Sequence, residues 1–146
     1  MKTKIFIDGS EGTTGLRINE RFKGREDLEI LSIDPALRKD PAERKKLINA
    51  SDVTILCLPD AAAKEAVSLV ENDCVRIIDT STAHRTASGW AYGFPELSPE
   101  FRKKIREGKR MANPADPGRD PAGGLSGQQL FPHRLQRRRK ENDRPV

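Results

Sequence analysis

Short apolar runs alternate with amphipathic segments along the first 113 residues, and this alternation leaves few folds open to the chain. The apolar runs predict five strands, which are residues 3–8, 28–33, 53–58, 75–79 and 109–113. Between them, helical periodicity predicts four helices, which are residues 14–23, 41–50, 60–71 and 98–107. Strands without polar alternation are typical of parallel sheets, because helices cover both faces of such sheets. We therefore predict an α/β fold, a doubly wound and mostly parallel sheet with helices on both sides.

The character of the chain changes after Pro114. Turn-forming and basic residues replace the apolar period, among them Asp116-Pro117-Gly118, Gly123-Gly124 and the run Arg137-Arg138-Arg139-Lys140. Of the net charge of +5, residues 116–146 carry 7 Lys and Arg against 4 Asp and Glu. We predict one folded domain over residues 1–114 and an irregular, disordered tail over residues 115–146. A basic tail can bind nucleic acid, but Phe131 is its one interleaved aromatic residue, so we expect no nucleic-acid partner.

Length and hydropathy limit the classes of protein to which this chain can belong. The 146 residues contain no apolar run of 18, so we expect no membrane span. Only a short apolar run precedes Asp8, so we expect no signal peptide and a cytoplasmic protein. Cys57 and Cys74 both lie in apolar, strand-like runs, which predicts reduced and buried packing residues rather than a disulfide.

A glycine-rich segment separates the first predicted strand from the first predicted helix. It reads Gly9-Ser10-Glu11-Gly12-Thr13-Thr14-Gly15. Glycines let a backbone turn sharply and approach a pyrophosphate closely, and the start of the following helix offers free N–H groups. The position between strand and helix favours dinucleotide binding over a tight turn without a ligand. We predict that the cofactor contacts Gly9, Ser10, Gly12, Thr13, Thr14 and Gly15.

Charged residues after the second predicted strand bear on the choice of cofactor. Asp34 ends that strand, where many dinucleotide-binding folds place an acid on the adenosine ribose. Arg38 and Lys39 follow, and cations at this place favour the 2′-phosphate of NADP, although the same loop can simply be solvated. We predict cofactor contacts from Asp34 and Arg38, and NADP(H) rather than NAD as the cofactor.

The segment after the third predicted strand would line the same edge of a doubly wound sheet. Leu58 and Pro59 lie where this strand gives way to a helix, and we predict that both contact the cofactor. Cys57 precedes them. It has no adjoining histidine or cation to stabilise a thiolate, so we do not expect it to be a nucleophile.

The segment after the fourth predicted strand carries hydroxyl and charged side chains. Ser81 is a predicted cofactor contact at the same sheet edge. Arg85, together with the hydroxyls, suits an anionic substrate group such as a carboxylate or a phosphate. His84 fits a general base, a phosphate donor or a plain surface histidine, and the sequence leaves these alternatives open.

Several motifs in this order resemble one enzyme family. They are Ile7-Asp8-Gly9 with Gly12-Thr13-Thr14-Gly15, Leu56-Cys57-Leu58-Pro59-Asp60, Ser81-Thr82-Ala83-His84-Arg85, Trp90-x-Tyr92-Gly93-x-Pro95-Glu96-Leu97, and Ala112-Asn113-Pro114. Residues 1–114 resemble the N-acetyl-γ-glutamyl-phosphate reductases of arginine biosynthesis, in their shorter second type. The wider semialdehyde dehydrogenase superfamily shares this architecture.

The resemblance implies a Rossmann-like NAD(P)-binding domain over residues 1–114 and an NADPH-dependent reduction of an acyl phosphate, N-acetylglutamyl phosphate, to a semialdehyde. In the family, a cysteine thiolate attacks the acyl carbon, expels phosphate, and forms a thioester that accepts hydride. Arg85 and Asn113 are the implied substrate contacts. We expect no metal site. The resemblance implies homo-oligomers for the family and leaves the state of this chain open.

The resemblance breaks where the family places its catalytic cysteine. That cysteine follows Asn-Pro-Gly in the family, whereas here Ala115 and Asp116 follow Asn113-Pro114. No catalytic residue is therefore assigned, and we expect the family's substrate and dimerisation domain, with its histidine, to be absent from this chain. We predict that the 146-residue chain is inactive. The alternative function is a stand-alone dinucleotide-binding module without catalysis.

A frameshift after Pro114 would explain the break. With suitable synonymous codons, residues 132–144 read one base later give P-T-G-Y-S-G-G-G-K-K-T-I. The family carries a G-Y-S-G-G-G-K-K stretch shortly after its cysteine. The basic run at residues 137–140 is then a consequence of the reading frame rather than a binding surface.

Overall fold

A computed structural model describes residues 1–114 of the chain. The predictions for residues 115–146, namely the disordered tail, the basic run and the shifted frame, lie outside the described residues. So does Asp116, at the position expected for the family's cysteine.

The described strands form one parallel sheet. In chain order they are β1 (Thr3–Asp8), β2 (Leu28–Leu31), β3 (Val53–Leu56), β4 (Arg76–Asp79), β5 (Ala91–Tyr92) and β6 (Arg110–Ala112). Their order across the sheet is β2-β1-β3-β4-β6-β5, and every paired strand is parallel to its neighbour. The predicted α/β fold with a doubly wound parallel sheet is therefore confirmed.

Four helices connect the described strands: α1 (Thr13–Phe22), α2 (Pro41–Ala50), α3 (Asp60–Ser68) and α4 (Pro99–Glu107). Helix α2 starts where predicted, because the Asp40 side chain caps it by accepting a hydrogen bond from the amide of Ala42 at 2.9 Å. Helix α3 ends three residues earlier than predicted. There the amides of Glu71 and Asn72 donate to the side chain of Asn49 instead of continuing the helix.

Alternate residues of the first four strands, β1 to β4, pack into two separate cores. Phe6, Leu56 and Ile77 lie on one face of the sheet, in a cluster that includes residues of α2 and α3. Ile5, Ile7 and Ile55 lie on the other face, packed against Ile18 and Phe22 of α1. Because successive side chains of a strand point to opposite faces, a strand covered on both sides is mostly apolar along its length. This explains the continuous apolar runs of the sequence.

A short strand at the sheet edge and the exposure of Cys74 differ from the predictions. None of the five predicted strands covers residues 90–97, but Ala91–Tyr92 pair with β6 as a short parallel strand. Gly93 follows it with φ +121°, and a Cβ there would lie 2.5 Å from the ring of Phe101 in α4. The prediction that Cys74 is buried is wrong. Cys74 is exposed in the turn before β4, whereas Cys57 is half-buried.

Candidate functional site: a cleft at the carboxyl ends of β1 and β3

The glycine-rich loop lies against the end of β3. Gly9 adopts φ +87°, and a Cβ at this position would lie 2.3 Å from the carbonyl oxygen of Cys57. A Cβ at Gly15 would lie 2.4 Å from the carbonyl oxygen of Gly9. Gly12 is less restricted, since its nearest contact is 3.4 Å away, again with the Gly9 oxygen. Positions 9 and 15 therefore need glycine for the loop to close at all, with or without a ligand.

Helix α1 begins directly from this loop. Its N-cap is Gly12, which has no side chain to satisfy the amides of the first turn. Those amides have no partner within the helix and carry the positive end of its dipole. Thr13 and Thr14 are exposed at the same place and add two hydroxyl groups. This helix start can bind a phosphate group.

A cleft with a volume of about 400 Å³ opens beside the loop, between β1, the segment before α2, and the start of α3. Four of the predicted cofactor residues line it: Gly9, Ser10, Arg38 and Leu58. Lys39 lines it as well. The sheet continues in opposite directions from β1, to β2 on one side and to β3 on the other. Crevices at such reversals are the usual ligand sites of open α/β sheets.

Asp34 and Pro59 lie beside the cleft rather than in its lining. Strand β2 ends at Leu31, so Asp34 belongs to the loop that follows and not to the strand end. Its carboxylate accepts a hydrogen bond from the amide of Ala36 at 2.9 Å, which fixes the turn leading to Arg38. Pro59 is the exposed N-cap residue of α3.

A buried ion pair, which was not predicted from the sequence, lies in the cleft wall. The Nε and Nη2 atoms of Arg44 donate to one carboxylate oxygen of Asp8 at 3.0 and 2.9 Å. Its Nη1 donates to Glu65 of α3 at 3.1 Å. Arg44 lies one helical turn before the buried Ile48 on α2, so an arginine on the apolar face was the signal available in the sequence.

The ion pair acts to lower the pKa of Asp8 and to raise the pKa of Arg44. Burial raises the pKa of Asp8, and the hydrogen bonds from Arg44 oppose this shift. Burial also acts to lower the pKa of Arg44, but its bonds to Asp8 and Glu65 outweigh that effect and the pKa is raised. Arg44 therefore stays charged beneath the cleft.

A second polar cluster lies at the carboxyl end of β4. Asp79, which is fully buried, accepts hydrogen bonds from the amide and the hydroxyl of Ser81 at 2.9 and 2.8 Å. Its Oδ2 atom lies 2.5 Å from Nδ1 of His84. The His84 ring stacks on Trp90 with centroids 4.1 Å apart. His84 is buried, so the surface-histidine alternative is wrong.

The two predicted substrate residues lie near this cluster. Arg85 directly follows His84, and its Nε atom is buried without a hydrogen-bond partner among the described residues. The Asn113 amide donates to the Asp79 carbonyl at 2.8 Å, which holds the end of β6 beside β4, and the Asn113 side chain is exposed. The neighbouring Cys57 is not activated. Burial raises the pKa of its thiol, and the charges of Asp8 and Asp79 add to the shift.

Residues 1–114 show neither a metal-binding cluster nor a membrane-spanning helix. The described side chains include no group of three or more His, Cys, Asp or Glu arranged to hold a metal ion. None of the helices in this part of the chain has the length and apolar character that a membrane crossing needs.

Comparison with solved structures supports the fold. An aspartate semialdehyde dehydrogenase from Francisella tularensis superimposes with a TM-score of 0.58 at 16% sequence identity. The match covers 80% of this chain and 37% of that one. At this level of identity the likeness concerns the fold alone.

Sequence relatives are much closer. An N-acetyl-γ-glutamyl-phosphate reductase from Chelativorans sp. is 57% identical over 114 residues, which is 78% of this chain and 37% of the relative. One from Trichormus variabilis is 56% identical over 125 residues, 86% of this chain and 38% of the relative. The resemblance inferred from the motifs is thus confirmed, and the chain spans less than two-fifths of the length of these relatives. Residues 3–105 also match the family model described as "Semialdehyde dehydrogenase, NAD binding domain". The chain therefore belongs to the semialdehyde dehydrogenase family, as a member that contains its NAD-binding domain.

Proposed function

We propose that residues 1–114 form the NADPH-binding part of an N-acetyl-γ-glutamyl-phosphate reductase, a cytoplasmic oxidoreductase of arginine biosynthesis. The observation that carries the cofactor assignment is the cleft of about 400 Å³ between the glycine-rich loop and Arg38. The reductases from Chelativorans sp. and Trichormus variabilis, at 57% and 56% identity, support the choice of reaction.

The cofactor in this proposal lies across the carboxyl ends of β1 and β3. The first-turn amides of α1 and the hydroxyls of the loop hold the pyrophosphate, while Arg38 and Lys39 favour the 2′-phosphate of NADPH. The proposed cofactor contacts are Gly9, Ser10, Gly12, Thr13, Thr14, Gly15, Arg38, Leu58, Pro59 and Ser81. The ribose contact of Asp34 stays a prediction.

NADPH, when bound, supplies a hydride. The proposed role of Arg85 is to pair with the anionic substrate, because a guanidinium fork matches a phosphate or a carboxylate. Its Nε atom is buried without a partner among residues 1–114, while the side chain as a whole is only half-buried, so the proposed contact comes from the terminal nitrogens. Asn113, which directly precedes Pro114, is the second proposed substrate contact.

The binding part of the proposal is tested by titrating the purified 146-residue chain with NADPH and with NADH, following heat release by calorimetry. We expect saturable binding of one NADPH per chain and weaker binding of NADH. The variant Arg38→Ala should bring the two affinities together, because it removes a cation from the cleft. Absence of binding by a folded chain at millimolar NADPH would refute the assignment.

We further propose that this 146-residue chain binds the cofactor without turnover. Asp116 stands where the resemblance places the cysteine, and a carboxylate attacking the acyl phosphate would give an anhydride rather than a thioester. In an assay that follows NADPH absorbance with N-acetylglutamyl phosphate, we expect no consumption above the rate without protein. Robust turnover would contradict the proposal.

The alternative function is a stand-alone dinucleotide-binding module. In that case the gene encodes this chain as it stands, whereas a frameshifted gene would encode a full reductase. Resequencing the gene across the codons for Ala112 to Val146 distinguishes the two. A single added or missing base near the Pro114 codon would support the full reductase and the proposed frameshift. An unchanged frame, together with NADPH binding, would favour the module.

A further inference from the structure

The charges around the cleft are balanced rather than uniformly positive. Arg38, Lys39 and Arg44 line it together with three acidic residues, Asp8, Glu11 and Glu65. A phosphate group that approaches the three cations therefore also approaches carboxylates, and like charges at short range disfavour binding. Selective binding of a phosphorylated ligand therefore requires that at least one carboxylate moves away from the cations.

The two partners of Arg44 differ in how firmly they are held. The side chains of Arg44 and Asp8 are 7% and 6% exposed, and two hydrogen bonds join them. The Glu65 side chain is 50% exposed and receives one hydrogen bond from Arg44. Exposed ion pairs contribute little to stability, whereas breaking a buried pair is strongly unfavourable. Glu65 is therefore the partner that can be replaced.

We propose that Arg44 is a specificity-determining residue that exchanges Glu65 for the 2′-phosphate of the cofactor while it keeps its bonds to Asp8. The inference rests on the proposed function, because it concerns the same cleft. In the structure, the Nη1 atom of Arg44 donates to Glu65 at 3.1 Å. A phosphate dianion is a stronger acceptor than one carboxylate oxygen and takes this donor together with Arg38 and Lys39.

The exchange explains how a balanced cleft discriminates between cofactors. A ligand with a 2′-phosphate displaces Glu65 and replaces its charge. A ligand without that phosphate leaves the ion pair between Arg44 and Glu65 intact, so the Arg44 guanidinium does not contact it. Asp8 remains in place in both cases and orients the guanidinium, since its two bonds come from Nε and Nη2 and leave Nη1 directed elsewhere.

The test uses the 146-residue chain and two pairs of probes, NADPH with NADH and 2′,5′-ADP with 5′-AMP. Glu65→Gln removes the competing charge on an exposed face of α3. We expect about tenfold tighter binding of the two ligands that carry a 2′-phosphate, and a change of less than about twofold for the other two. Glu71→Gln is the matched control, because it removes a carboxylate from an exposed ion pair with Lys45 outside the cleft lining. It should leave all four affinities unchanged.

A second variant tests the arginine itself. Arg44→Lys keeps the positive charge but loses the guanidinium fork, and we expect about tenfold weaker binding of the 2′-phosphorylated ligands with little change for the others. Thermal denaturation checks that the variant is folded, and an unfolded variant leaves Glu65→Gln as the deciding measurement. Equal effects of Glu65→Gln on both members of a pair, or no effect, would overturn the inference. Failure of the unsubstituted chain to bind either dinucleotide would overturn the proposed function as well.

Discussion

Replacing Gly9 by alanine tests the closeness of the glycine-rich loop to β3. A Cβ at this position would lie 2.3 Å from the Cys57 carbonyl oxygen and 2.9 Å from the carbonyl carbon. The backbone cannot easily move away, because the Cys57 amide donates to the Asp8 carbonyl at 2.8 Å and ties the two strand ends together. Relief of the contact must therefore break that hydrogen bond or distort the loop.

The expected loss of stability in Gly9→Ala has two parts. At φ +87° an alanine is in the left-handed region, which costs about 1–2 kcal/mol relative to glycine. Overpacking against rigid backbone adds about 1–3 kcal/mol. We expect Gly9→Ala to lower the free energy of unfolding by about 2–5 kcal/mol in all, a large share of the roughly 5–15 kcal/mol typical of a domain.

Gly24→Ala separates the two parts. Gly24 has φ +80°, close to that of Gly9, but a Cβ there would have no heavy atom within 4 Å. This variant should lose the conformational part alone, about 1–2 kcal/mol. Urea denaturation followed by the fluorescence of Trp90 measures both variants. Equal losses for Gly9→Ala and Gly24→Ala would refute the argument that β3 confines the loop.

Three further predictions concern stability and reactivity. Arg44→Met leaves the buried Asp8 carboxylate without its partner, so we expect a loss of about 3–5 kcal/mol in urea denaturation; a loss below about 1 kcal/mol would contradict the burial of the pair. Cys74 is exposed, while burial raises the pKa of the half-buried Cys57, so iodoacetamide near neutral pH should modify Cys74 first. Peptide mass spectrometry measures the two rates, and equal rates would count against this assignment. Asp40→Ala removes the side-chain cap of α2 and should cost about 1 kcal/mol by the same urea method, whereas an unchanged midpoint would show that the cap is dispensable.

Much of the architecture could be predicted from local patterns. The bounds of α2 were predicted to the residue, because Pro41 and the helical period are local signals and Asp40 supplies the cap. The strands were found because both faces of a parallel sheet demand apolar residues, although their ends were placed up to two residues too late. Strand β5 was missed, since two residues are too few to establish a period.

Some features of the candidate site could likewise be predicted from the sequence, and others could not. The sequence by itself determined the glycine-rich loop, because glycines between a strand and a helix record a backbone requirement that each residue carries locally. Only the tertiary structure decided that Arg38 reaches the cleft while Asp34 caps a turn. It alone paired Arg44 with Asp8, 36 positions away. Such contacts depend on which strands and helices become neighbours, and that order is set by the packing of the whole sheet rather than by the residues adjoining each side chain.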